Sequence, residues 1–147
     1  MRTLPAILVA LLIVGCARTE TYQVRLTNKT AGPITFGLVK QGDPYEPKWA
    51  APEDAAMNGS RAVAENWGSV GAGKTAVSQP IKGRFRNNAA AYLRVYEGKL
   101  DLAGIMAVSR GAPNRADILL TPGANQVTVT EDKGQLVAQR NGIFDPR

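Results

Sequence analysis

Polar and apolar positions alternate over several short stretches of this chain. Tyr22, Val24 and Leu26 are interleaved with Gln23, Arg25 and Thr27, and Ile34, Phe36 and Leu38 share one side of the next run. Period two with β-branched and aromatic residues marks a strand with one buried face. Asn28-Lys29-Thr30-Ala31-Gly32-Pro33 between them is turn chemistry. The two runs are therefore expected to form the opening hairpin of an antiparallel sheet. Tyr92-Leu93-Arg94-Val95-Tyr96 is the clearest strand of all, and it places Tyr92, Arg94 and Tyr96 on one face. Further strands are expected at 67–70, 75–81, 117–120, 126–130 and 135–140, with Pro80 confining its strand to a sheet edge. Glu131-Asp132-Lys133-Gly134 reads as a tight hairpin turn.

Two stretches break this rhythm. Over 41–66 the prolines Pro44, Pro47 and Pro52 interrupt any regular run. One or two helical turns are expected from Pro52-Glu53-Asp54, stopped by Asn58-Gly59, and another short turn at 60–65. A connection this long is either a functional loop or a cap over an open core. Residues 100–109 fit two patterns. Asp101 can cap a short helix with Leu102, Ile105 and Met106 on one face, or the run is a buried strand, and periodicity does not decide. Seven or eight short strands separated by Gly, Pro and Asn turns predict an all-β fold, a small antiparallel β-sandwich with one long loop or short-helix insertion.

The start of the chain is different. Met1-Arg2-Thr3 precedes an apolar run, Leu4 to Val14, that ends in Gly15-Cys16. One positive charge, about a dozen apolar residues and a small residue at the break make a secretory signal. The run is shorter than the ~20 apolar residues of a stable membrane span. Ile13-Val14-Gly15-Cys16 resembles the lipobox of bacterial lipoproteins cut by signal peptidase II. The resemblance covers only about the first sixteen residues. It implies cleavage before Cys16, a diacylglycerol thioether on that cysteine with palmitate-type acyl chains, and a membrane anchor in the cell envelope. Ala17 after the cysteine resembles the sorting pattern for the outer membrane, periplasmic side, in a double-membraned cell. The organisation that follows is a signal peptide at 1–15, a lipidated Cys16 and tether at 16–21, a β-sandwich at 22–140 and a frayed tail at 141–147.

Composition narrows the chemistry. Cys16 is the only cysteine, so no disulfide forms within the chain, and there is no histidine. That removes the His and Cys ligands of copper and zinc sites and the Ser-His-Asp triad. Calcium loops of the Asp-x-Asp-x-Asp type are absent as well. The carboxylate pairs Glu53/Asp54 and Glu131/Asp132 suit a helix start and a hairpin turn. No cofactor, no metal and no enzymatic activity are expected. Gly68-Ser69-Val70-Gly71-Ala72-Gly73-Lys74-Thr75 matches the phosphate-binding pattern G-x-x-x-x-G-K-[ST] in full. A P-loop must open a helix. Here Pro80 lies five residues beyond Thr75, and Thr75, Val77 and Ile81 prefer strands. A Gly-rich turn between two strands is expected, with no nucleotide.

With 18 basic residues against 12 acidic, loss of Arg2 with the signal leaves 17 against 12, a mature domain of about +5. That charge favours anionic neighbours, either lipid headgroups or an acidic envelope polymer, and no nucleic acid is expected in an exported compartment. A tether of five residues, 17–21, would hold the domain near the membrane, with Arg18 and Arg25 placed to touch it. Trp49 and Trp67 flank the long loop. They either plug the end of the sandwich or form an aromatic platform for a sugar ring or headgroup. Arg84, Arg86 and Phe85 fall in an expected exposed hairpin end at 83–88. The sequence thus supports a lipid-anchored envelope protein of structural or binding role. The alternative is an exported binding module for carbohydrate or an anionic wall polymer, acting through Trp49 and Trp67 or through the Tyr92, Arg94, Tyr96 face.

Overall fold

The alternating runs become nine strands in two sheets packed face to face, in a computed structural model that describes residues 15–51 and 67–147. The signal run at 1–14 and the helical turns expected at 52–57 and 60–65 lie outside the described residues. One sheet is built on β1 (Arg18–Asn28). It is flanked by β8 (Gly123–Asp132) and then β9 (Gln135–Ile143) on one side. On its other side lie both β4 (Thr75–Val77) and β5 (Ile81–Phe85). The second sheet runs β3 (Trp67–Val70), β2 (Ile34–Gln41), β6 (Ala90–Glu97), β7 (Arg115–Leu119). Every pairing is antiparallel except β1 with β8, which is parallel from Tyr22 opposite Gly123 to Asn28 opposite Val129.

The small all-β sandwich is as the alternation implied, but the opening hairpin is not. β1 and β2 lie in different sheets. The reason is Asn28, whose side chain is fully buried at the strand end. Its Nδ2 donates to Gly32 O (2.8 Å) and Val70 O (3.1 Å), and its Oδ1 accepts from Thr30 N (2.9 Å) and Thr30 Oγ1 (2.8 Å). Those bonds satisfy the turn's polar groups inside the protein and carry the chain from one layer to the other. Asn125 has the same role before β8: it accepts from Thr121 N (3.0 Å) and donates to Thr121 O (2.8 Å) and Gly123 O (3.0 Å).

Three other boundaries move. β1 starts at Arg18, four residues before the alternation becomes legible. The segment expected as an exposed hairpin end, 83–88, is divided: Gly83, Arg84 and Phe85 belong to β5, with Gly83 and Phe85 buried and Arg84 outward, while Arg86, Asn87 and Asn88 form an exposed turn that leads to the other sheet. The tail is ordered further than expected. β9 runs to Ile143, Phe144 N donates to Ala124 O (3.3 Å), and the Phe144 ring lies under the Arg25 guanidinium at 4.4 Å. The single strand expected at 75–81 is broken: Pro80 lies in a gap between β4 and β5, which both border the outer side of β1, and the ladder is repaired across that gap. Ser78 N donates to Val24 O (2.8 Å), and Ser78 Oγ accepts from Val24 N (2.9 Å). The β8–β9 turn is tight, with Lys133 at φ 50° and Gly134 at φ 76°, the paired positive φ angles that two-residue hairpins require. Residues 100–109 resolve as one helical turn, α1 (Leu102–Met106), capped by Asp101, whose carboxylate accepts from Gly104 N (2.8 Å). Only Ile105 of its apolar residues is buried.

Val24, Leu26, Leu38, Leu93, Val95 and Val127 fill the space between the sheets. At the end where β1 begins, an aromatic cluster closes the sandwich. Trp49, in a single 3₁₀ turn (Pro47–Trp49), meets Tyr22 and Phe85 edge-on, with ring centroids 5.6 and 5.5 Å away. Its indole N–H donates to Lys82 O (3.0 Å).

The same end carries a part-buried ion pair, Lys40 with Glu46. Lys40 Nζ donates to Glu46 Oε2 (2.5 Å) and to Arg84 O (2.9 Å), while Glu46 Oε2 also accepts from Arg84 N (2.9 Å). Together they staple the loop before Trp49 to β5. Burial works against ionisation of Glu46, but the hydrogen bonds from Lys40 and the Arg84 amide outweigh it and hold its pKa below the usual glutamate range. A depressed carboxylate pKa contributes stability that is present above the unfolded value and lost as pH falls through the folded one. Urea unfolding between about pH 6 and about pH 3 should therefore show the native protein weakening more steeply than Glu46→Gln. At neutral pH Glu46→Gln should be less stable by about 1–2 kcal/mol, because two hydrogen bonds to a carboxylate become weaker ones to a neutral amide. Parallel acid limbs for the two proteins would refute this role.

Candidate functional site

Sheet alternation puts Ala91, Leu93 and Val95 of β6 into the core and Tyr92, Arg94 and Tyr96 on the opposite face. The shared face expected for those three residues is therefore present, but it is not a solvated one. Tyr96 and Arg94 are buried, and so are Thr35 and Val39 beside them on β2. Part of the cover is the chain after β6: Thr35 Oγ1 donates to Gly98 O (2.7 Å) and accepts from Leu100 N (2.9 Å). Arg115, also buried, holds its guanidinium over the Tyr96 ring at 5.8 Å.

On this face the pairing of β6 with β7 sets Arg94 opposite Asp117. The Asp117 carboxylate accepts from Arg94 Nε (3.1 Å) and from Arg115 Nη2 (3.0 Å). Arg94, Arg115 and Arg110 then line one open cleft of about 260 Å³ with Val39, Gln41 and Ala51. Arg94 was legible in the sequence as a site residue, whereas Arg110, Arg115 and Asp117 were not. Arg115 and Asp117 stand two apart on a strand and so share a face. Only the register to β6 brings that pair to Arg94. Guanidinium groups converging in a cleft suit a carboxylate or phosphate group.

No protein family, no curated protein and no solved structure matches this chain. The remaining candidate residues are placed by geometry alone.

Trp49 and Trp67 do not form one platform. The Trp49 indole is in the core, so it offers no face to a ligand. Trp67 is half-buried, packed against Tyr96 with centroids 5.9 Å apart and lying directly on Gly37. Its other border is a slot of about 180 Å³ with Phe36, Val77, Ser78, Gln79 and Ile81, between the edge strands of the two sheets. The P-loop pattern is split among β3, a turn and β4. Thr75 opens a strand rather than a helix, and the amides of Gly73 and Lys74 donate to Asn28 O (2.8 Å) and Gly71 O (3.1 Å). Those amides face protein carbonyls, not an open cradle. Among the described residues no three of His, Cys, Asp and Glu come together as metal ligands would, and no helix is long and apolar enough to cross a membrane.

Cys16 is exposed, and only Ala17 separates it from β1. A Cβ at Gly15 would stand 3.9 Å from Asn87 Nδ2, which puts this junction beside the turn between β5 and β6. One residue, rather than the five expected, thus lies between Cys16 and the first strand. Arg25 does not lie at the same end of β1 as Arg18. It pairs with Val77 seven residues up β1 and is engaged by Phe144.

Proposed function

We propose that this is an exported lipoprotein of the cell envelope, anchored through acyl chains on Cys16, with a structural or binding role and no catalysis of its own. The observation that carries it is the combination at one position of a lipobox-like sequence, Ile13-Val14-Gly15-Cys16, and an exposed cysteine immediately ahead of the first strand. A thioether needs an accessible thiol, and acylation of the new N-terminus needs a free amine. Both lie outside the sandwich. Two or more acyl chains, at ~0.8 kcal/mol per buried CH₂, hold a protein on a bilayer where one does not. An outer-membrane destination in a double-membraned cell follows the resemblance of Ala17 to the sorting pattern.

A second reading has its own support. The cleft of Arg94, Arg110 and Arg115 suits an anionic envelope polymer, which would make the domain a binding module as well as an anchored one.

The anchor is tested in cells. Globomycin should make an uncleaved precursor accumulate, and mass spectrometry of the mature N-terminal peptide should show the added acyl mass on Cys16. Cys16→Ser should abolish processing or leave the protein in the soluble fraction. A Cys16→Ser protein that is still cut at the same bond and stays with membranes would sink the proposal.

A further inference from the structure

We propose that the end of the sandwich at which β1 begins is a contact surface for an anionic lipid bilayer, so that the domain stands end-on at the membrane with its β5–β6 turn against the headgroups. This rests on the lipid anchor at Cys16 proposed above and adds its orientation and its lipid preference.

The argument begins with reach. Two residue steps separate Cys16 from Arg18, and two extended residues span at most ~7 Å. Charges are screened over ~8 Å at physiological salt. A tether of five residues would have let the domain float more than two screening lengths away, but this one holds the start of β1 within one.

The charges at that end come next. Arg18 opens β1, and Thr19 pairs with Arg84. Arg86 follows β5 in the turn, with its amide donating to Asp43 O (3.1 Å). The side chains of Arg18, Arg84 and Arg86 are all exposed. Among the described residues, the acids at the same end are Glu46, taken by Lys40, Glu20, half-buried, and Asp43, exposed. Lys82 and Lys48 lie exposed just behind the rim. Tyr45, in the loop that β5 holds in place through Glu46, is 55% exposed. An exposed tyrosine among arginines is the composition of a membrane interface, where the ring enters the headgroup layer and the cations meet lipid phosphates. The opposite end carries Lys29, Lys74, Lys99 and Lys133 mixed with Glu97, Glu131 and Asp132, and it lies about 33 Å away along the ten steps of β1.

The test uses the full chain, processed and lipidated in its own membrane, then reconstituted. Because Cys16 is the sole natural cysteine, Asn87→Cys and Ala31→Cys each supply one thiol for a fluorescent label, at the two ends of the molecule. Vesicles of phosphatidylcholine, with or without phosphatidylglycerol, carry a nitroxide on the headgroup as quencher. With phosphatidylglycerol present, the label at position 87 should be quenched at least several-fold more than the label at 31. That difference should shrink with added salt, in pure phosphatidylcholine and in Arg18→Gln/Arg84→Gln/Arg86→Gln. Circular dichroism of the triple variant checks that it is folded. Equal quenching at the two positions, or quenching at 87 that is indifferent to phosphatidylglycerol and to the three arginines, overturns the proposal while leaving the anchor intact. A native chain that does not stay with membranes at all overturns the anchor, and this orientation with it.

Discussion

Replacing Trp49 by alanine is expected to cost the domain about 3–5 kcal/mol, much of what a fold of this size possesses. The side chain is buried, closes the end of the core through edge-on contacts to Tyr22 and Phe85, and ties the 3₁₀ turn to β5 through Lys82 O. Alanine would leave a cavity, Tyr22 and Phe85 with only each other as ring partners, and a carbonyl without its donor. Trp49→Phe keeps a ring in place and should recover most of the loss, short by about 1–2 kcal/mol for the missing hydrogen bond and the smaller volume. Urea midpoints for the native protein and both variants decide this. A Trp49→Ala protein within about 1 kcal/mol of native would mean that the end of the sandwich is closed by something else.

The second large effect belongs to a glycine. A Cβ at Gly37 would lie 2.2, 2.3 and 2.6 Å from ring atoms of Trp67, so Gly37→Ala cannot be accommodated unless the indole leaves its seat against Tyr96. Overpacking of this kind costs about 1–3 kcal/mol, and more where backbone must move, as here in the second strand of a four-stranded sheet. The clash predicts its own remedy. In a Trp67→Ala background, Gly37→Ala should be nearly neutral, because the methyl group then has space and alanine loses less backbone freedom than glycine. The coupling in such a double-mutant cycle should therefore be about as large as the single effect. Additive effects would show that the ring does not hold the position described. Gly83 repeats the device under Trp49, where a Cβ would be 2.6 Å from the indole nitrogen.

Those glycines explain part of what the sequence conceals. β6, β8 and β9 were legible because their alternation is unbroken and their turns are rich in Gly and Asp. β5 was not, since Gly83 occupies an inward position where a pattern reader looks for an apolar side chain. The relation of β1 to β2 was misread because turn-forming residues announce a reversal of direction without saying whether the chain stays in its sheet. It is the buried amide of Asn28 that decides this, and a polar residue gives no sign of burial in a linear string. The candidate site divides the same way. The exposed Cys16 could be named from its local sequence. The Tyr92, Arg94, Tyr96 face could be drawn, but its cover and its extension through Asp117 to Arg115 and Arg110 depend on pairings between distant segments.

The parallel pairing of β1 with β8 has a consequence for when the protein can exist. Tyr22 waits for Gly123, and Asn28 for Val129, so the first strand to leave the ribosome acquires one of its two neighbours only after about a hundred further residues. No early hairpin shelters it, because β2 departs to the other sheet. A contact this remote in sequence cannot form until the distant strand has been made, however fast pairing then is. One side of β1 therefore stays open through most of synthesis, and its sheet closes only once β8 and β9 are free.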